Sequence, residues 1–141
     1  KKGNCLKYGD IMYLQNNYMD NRWLSGSRTS GNEEVVTRDH LGSIYERDTA
    51  ATTYEWIVTS TPGNGSRRVD NDPKKGNCLK NGDIMYLQNN YMDNRWLSGS
   101  RTSGNEEVVT RDHLRSSYER NTAATTYKWI VRSTPGNGSR P

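Results

Sequence analysis

The segment Gly9-Asp10-Ile11-Met12-Tyr13-Leu14-Gln15-Asn16-Asn17-Tyr18 returns letter for letter as Gly82-Asp83-Ile84-Met85-Tyr86-Leu87-Gln88-Asn89-Asn90-Tyr91. A short apolar run followed at once by an Asn pair reads as a strand entering a turn, and no 3.6-residue period continues it. Working outward, residues 1–67 align with residues 74–140 without a gap, at an offset of 73. Six positions differ: Tyr8/Asn81, Gly42/Arg115, Ile44/Ser117, Asp48/Asn121, Glu55/Lys128 and Thr59/Arg132. Copies this alike predict one fold made twice, and any binding site made twice. Duplication can serve avidity for a multivalent target, or only the closing of a core that one small unit cannot close alone.

Strand patterns recur within each copy. Residues 10–15, 22–25, 34–37 and 53–59 are the four expected strands of the first copy. The last of them alternates Tyr54, Trp56 and Val58 and stops at Thr61-Pro62-Gly63-Asn64-Gly65. Residues 41–52 read mainly as loop, with room for one helical turn capped by Asp48. Eight short strands predict an all-β chain and suit a barrel, a sandwich or β-trefoil-like units. Four strands per copy, the last closed by a Trp-Ile pair, predict tandemly duplicated β-trefoil-like units. A full trefoil needs three such units. The expected organisation is therefore a first repeat over 1–67, a linker over 68–73 and a second repeat over 74–141. These either stand as small domains, pack into one body, or complete the architecture by oligomerising.

Composition narrows the class. Hydrophobic residues are 30% of the chain and mean hydropathy is −1.08, too polar for a thick aliphatic core. Trp and Tyr, which bury area while keeping a polar tip, must do much of the packing, because Phe is absent. The net charge of +4 is uneven. The first copy balances eight basic against eight acidic residues, while the second carries eleven against six. No run approaches the ~20 apolar residues of a membrane span. The sequence starts without Met or an apolar leader, as a mature or excised chain would. Cys5 and Cys78, one per copy, are too few for a four-cysteine metal site. They can bond to each other, bond between chains, or stay reduced, and a disulfide suits an extracellular protein. Asn64-Gly65-Ser66 and Asn137-Gly138-Ser139 are glycosylation acceptors by sequence.

Five elements together resemble a known repeat: the stretch from Gly9 to Tyr18, Trp23-Leu24-Ser25-Gly26, Val36-Thr37, Arg47-Asp48 and Trp56-Ile57-Val58. The chain is similar over most of each copy to a trefoil-like lectin repeat of marine invertebrates, notably sea-hare egg lectins, and of bacterial relatives. The resemblance implies an all-β sugar-binding module, with galactose-type, rhamnose or galacturonic acid ligands as precedents, and the expected setting is secreted. The chain departs from that pattern in having two repeats rather than three, in its scarcity of cysteine, and in Asn121 where the first copy has Asp48.

Two loop clusters in each copy carry groups suited to sugars, which are held by planar polar side chains and a stacked aromatic face. The first holds Asn17, Tyr18, Asp20, Arg22 and Trp23, repeated as Asn90, Tyr91, Asp93, Arg95 and Trp96. Asx-rich loops often mean only turns, and Trp23 alternates with Leu24 so that one of them faces the core. Trp56 and Trp129, set among Ile and Val, read as core. The second cluster is Arg38, Asp39 and His40, repeated as Arg111, Asp112 and His113, at the end of a strand where loops present function. Arg38 and Arg28 have the fork geometry for an acidic sugar or sulfate. An Asp–His pair also suits general base catalysis, but no nucleophile stands in fixed register with it. Asp10, Asp20, Asp39, Glu33 and Glu34 lack the spacing of a calcium loop. The expectation is a lectin without enzymatic activity, cofactor or metal, possessing one equivalent glycan site per repeat and acting by multivalent agglutination or defence. Its rivals are a polyanion- or nucleic-acid-binding protein using the basic second copy, a hydrolase using Asp39 and His40, and an adhesive repeat with no discrete site.

Overall fold

The computed structural model describes residues 4–18, 20–39, 51–62, 68–91, 94–111 and 124–134. Among these residues the regular structure is all-β apart from two single 3-10 turns, Ala51–Tyr54 and Ala124–Tyr127. The strands are β1 (Ile11–Met12), β2 (Trp23–Gly26), β3 (Val35–Arg38), β4 (Trp56–Thr59), β5 (Ile84–Asn89), β6 (Trp96–Gly99), β7 (Val108–Arg111) and β8 (Trp129–Ile130). The main sheet runs β1-β4-β5-β6-β7, with β8 also on β5, and β2-β3 form a separate hairpin. The possible cap Asp48 and the acceptors Asn64 and Asn137 lie outside the described residues.

Corresponding residues of the two copies make corresponding pairs. Ile11 faces Ile57 and Met12 faces Trp56, as Ile84 faces Ile130 and Met85 faces Trp129. The hairpins match likewise, from Trp23↔Arg38 to Gly26↔Val35 and from Trp96↔Arg111 to Gly99↔Val108. A turn at Lys7–Asp10 feeds β1. Gly9 sits at φ +98°, which only glycine adopts without strain, and its N–H donates to the Val58 carbonyl at 2.7 Å. The turn at Lys80–Asp83 repeats this with Gly82 at φ +94° and Val131. The indole N–H of Trp56 donates to the Leu24 carbonyl and that of Trp129 to the Leu97 carbonyl, tying each closing strand to its own hairpin.

What joins the copies is β4 against β5, antiparallel over four residue pairs from Trp56↔Asn89 to Thr59↔Tyr86. With β1 on one side and β5 on the other, every residue of β4 is buried. One core gathers Tyr8, Trp56 and Val58 of the first copy with Leu87 and Leu97 of the second. Cys5 and Cys78 are bonded to each other within the chain, 73 residues apart. Closing a loop of that size restricts the unfolded chain by about 4 kcal/mol in the chain-entropy picture. The linker is packed too: Asp72 accepts from the Ser60 N–H and hydroxyl. The sequence boundaries at 67/68 and 73/74 therefore do not divide the sheet.

Two expected strands need correction. The fourth begins at Trp56 rather than at residue 53, because Thr53 and Tyr54 close a 3-10 turn. There the Thr53 hydroxyl meets Ser25 Oγ at 3.0 Å and the Tyr54 hydroxyl accepts from Arg28 at 3.1 Å. Its alternation does not sort faces either, since Ile57 and Thr59 are as buried as their neighbours. The first strand shrinks to Ile11–Met12 in one copy and extends over Ile84–Asn89 in the other, although the residues are identical. The difference is the partner: β5 has β4 along Tyr86–Asn89, four of its six residues, whereas among the described residues Tyr13–Asn16 has a single bridge, Gln15↔Trp23.

The junction gives a direct test. A Cβ at Gly26 would lie 3.1 Å from Asn89 Nδ2, an amide already held by the Thr53 carbonyl at 2.8 Å and by the Tyr91 N–H. A Cβ at Gly99 would meet nothing nearer than the Thr126 carbonyl at 4.0 Å. Gly26→Ala is therefore expected to cost about 1 kcal/mol, the worth of one hydrogen bond. Gly99→Ala should stay within about 0.5 kcal/mol of the parent. Urea unfolding of dilute protein reads both, and equal effects would mean that the Gly26–Asn89 contact does not form.

Candidate functional site

The loop between β1 and β2 is built by its own polar residues. Asn16 Oδ1 accepts from the Tyr18 N–H at 2.9 Å, Asn21 takes the left-handed conformation at φ 48°, and Gln15 Nε2 donates to the Asn21 carbonyl at 3.0 Å. Asn16 thus makes an Asx turn. The loop leaves Tyr18 70% exposed, with Asn17 and Asp20 exposed beside it. Arg22 turns back onto β3, donating from Nη2 to the Thr37 carbonyl at 2.9 Å, and its Nη1 lies 3.9 Å from Asp39 Oδ2. This exposed ion pair adds little stability, but it sets position. Trp23 is half-buried and meets Tyr13 edge to face, centroids 6.3 Å apart. In the first copy Arg22 therefore brings the two sequence clusters together, beside two aromatic rings.

The second copy repeats the hydrogen bonds but not the exposure. Arg95 Nη2 donates to the Thr110 carbonyl at 2.7 Å. Asn90 Nδ2, however, donates to Glu55 Oε1 at 2.7 Å and the Tyr91 hydroxyl donates to the Arg28 carbonyl at 3.1 Å, so both residues join the copies. Trp96 is wholly buried, in a core with Tyr86 and Tyr127. The stacking role expected of Trp96 is corrected on that ground: no ligand can reach its face. Arg38 and Arg111 each donate from Nε to a serine of the paired strand, Ser25 at 3.1 Å and Ser98 at 3.2 Å, and so brace the hairpins. Arg28 lies over the Tyr54 ring, 5.8 Å from its centroid. His40, Asp93, Asp112 and His113 lie outside the described residues.

Sequence reasoning missed several features. A narrow polar cleft runs between the copies, with Gly26 and Thr29 on one wall and Asn89, Tyr91 and Arg95 on the other. Its volume of ≈ 10 Å³ admits about one water, not a sugar ring. A larger open hollow of ≈ 550 Å³ lies along Tyr8, Lys74, Lys80 and Asp83, and another of ≈ 270 Å³ along Ile11, Arg68, Asp70 and Lys75. Glu55 is the other surprise, accepting from the Tyr13 hydroxyl at 2.8 Å as well as from Asn90. The exchange of Glu55 for Lys128 was the one signal that this position faces something different in each copy. Among the described residues no three metal-ligating side chains cluster, and no helix is long and apolar enough to cross a membrane. Comparison with family models, curated proteins and solved structures returns no match.

The Tyr13 hydroxyl is pushed up to about 12, first by partial burial and then by its hydrogen bond to Glu55 and that carboxylate's charge. A raised pKa means that the native state favours the protonated phenol. Its contribution to stability is whole below the ordinary tyrosine value of about 10 and disappears as pH climbs to about 12. Difference titration of tyrosinate absorbance, parent against Tyr13→Phe, should give a midpoint near 12, and Glu55→Gln should lower it. A midpoint near 10 would show that the Tyr13–Glu55 bond is not made in solution.

Proposed function

We propose that this chain is a secreted, non-enzymatic carbohydrate-binding protein made of two β-trefoil-like repeats, of the kind its sequence resembles in marine lectins. The observation that carries the reading is the exposed patch of the first copy. There Arg22 links the Asn17–Tyr18 loop to Asp39 beside Tyr13 and Trp23. Such a patch combines what a sugar needs: an aromatic face for its C–H side, and amide, carboxylate and guanidinium groups for its hydroxyls. Arg22 is already answered by the Thr37 carbonyl and Asp39, which favours a neutral, galactose-type sugar over an acidic one. The internal disulfide is compatible with an extracellular setting. The matching residues Asn90, Tyr91 and Trp96 are taken up by the junction and the core, so the reading assigns one open patch per chain rather than two equivalent sites.

A glycan array tests this directly. Binding should be inhibited by free monosaccharide and change little with salt, and the absence of any glycan above background would remove the proposal. Affinity that falls steeply with salt would instead favour the polyanion reading. Tyr18→Ala should weaken glycan binding about tenfold, or ~1.4 kcal/mol. At so exposed a position it should leave unfolding within about 0.5 kcal/mol.

A further inference from the structure

The chain holds its own control for what its sheet edges do. Tyr13-Leu14-Gln15-Asn16 and Tyr86-Leu87-Gln88-Asn89 are the same four residues, yet β4 covers only the second set. Tyr86 is 6% exposed and Gln88 0%, while Tyr13 is 44% exposed and Gln15 lies open. The closing strand behaves alike: Ile57, between β1 and β5, is 6% exposed, and its counterpart Ile130 is 43% exposed. One molecule therefore shows both halves of the β4–β5 junction a second time, unpaired with each other among the described residues: one just beyond β1, the other on β8, which is held by β5 alone.

We infer that these edges dock between molecules: residues 129–132 of one chain add to residues 13–16 of a second copy, in the register of the internal junction. Shifting the observed pairs by 73 places Trp129 opposite Asn16, Ile130 opposite Gln15, Val131 opposite Leu14 and Arg132 opposite Tyr13. The local chemistry is kept. Gly26 admits the Asn89 amide, and Gly99 stands open where the second chain's Asn16 amide would arrive. Asn89 Nδ2 donates to the Thr53 carbonyl, and Thr126, the counterpart of Thr53, places its carbonyl 4.0 Å from where a Gly99 Cβ would stand.

The junction-facing substitutions fit a different neighbour without closing the edge. Asn90 Oδ1 is buried with no hydrogen-bond partner among the described residues, because Glu55 can only accept. Lys128, in place of Glu55, can donate to the same oxygen of Asn17. Arg132 replaces Thr59 opposite Tyr13, where a guanidinium gains from the ring and from Glu55, which already binds the Tyr13 hydroxyl. A cationic edge ordinarily resists strand addition, but here it faces a carboxylate. The contact is heterologous, so repeated use gives a ring or an open chain of molecules. It does not depend on the sugar-binding reading. If both hold, Asn17 and Tyr18 belong to both surfaces, and glycan and self-docking compete.

Sedimentation equilibrium of the full chain without glycan tests the docking. The weight-average mass should rise with concentration above the 16.1 kDa of one chain. Gly99→Ala, which has room within its own fold, should weaken association about tenfold, and Ile130→Asp should do at least as much, with circular dichroism unchanged in both. A mass of 16.1 kDa at every concentration would overturn the inference. So would association unaltered by either variant, which would place the contact elsewhere.

Discussion

The antiparallel contact of β4 with β5 is the constraint on which the remaining structure depends. Among the described residues it is the one extended pairing between the copies, and it turns Trp56–Thr59 into a strand covered from both sides. A copy alone has few aliphatic side chains to bury. Joined, Tyr8, Trp56 and Val58 meet Leu87 and Leu97 in one core. At roughly 1.5–3 kcal/mol for each large apolar side chain fully buried, that shared core outweighs any single polar contact in the molecule. The Cys5–Cys78 bond and the bridge of Lys7 with Cys78 fasten the same seam at the start of each copy.

From this seam follows an asymmetry that identical sequences conceal. The same Asn-Asn-Tyr loop is an exposed surface in the first copy and an adhesive in the second, where it grips Glu55 and the Arg28 carbonyl. Function assigned by repeat position alone would double a patch that is open once. The proposed sugar site is for this reason a property of the free end of the molecule, and it lies next to the edge through which copies can add.

Much of the fold was legible in the residues. Trp-Ile-Val marked the closing strands, and the offset of 73 set out two copies with corresponding strands. Strand length and burial were not legible, because they are decided by neighbours remote in sequence. Tyr13 and Tyr86 share the same sequence neighbours from Gly9/Gly82 to Tyr18/Tyr91, yet a strand lies alongside the second alone among the described residues. The arginines' own partners were not legible for a related reason: Arg22, Arg28 and Arg38 donate to a carbonyl, a phenol and a buried serine supplied by other strands and turns. The usable signal lay in the differences between copies. Tyr8, Glu55 and Thr59 all face the seam, and their counterparts Asn81, Lys128 and Arg132 do not. Tyr8, for instance, is buried with its hydroxyl on the Ile84 carbonyl, while Asn81 is exposed.

Amide hydrogen exchange on dilute monomer probes the seam most directly, because it compares one sequence in two settings. Protection should be high over Tyr86–Gln88 and low over Tyr13–Gln15, although the residues are the same. Equal exchange in the two segments would mean that β4 does not hold β5, and the joined core, the single open patch and the docking edges would all fall with it.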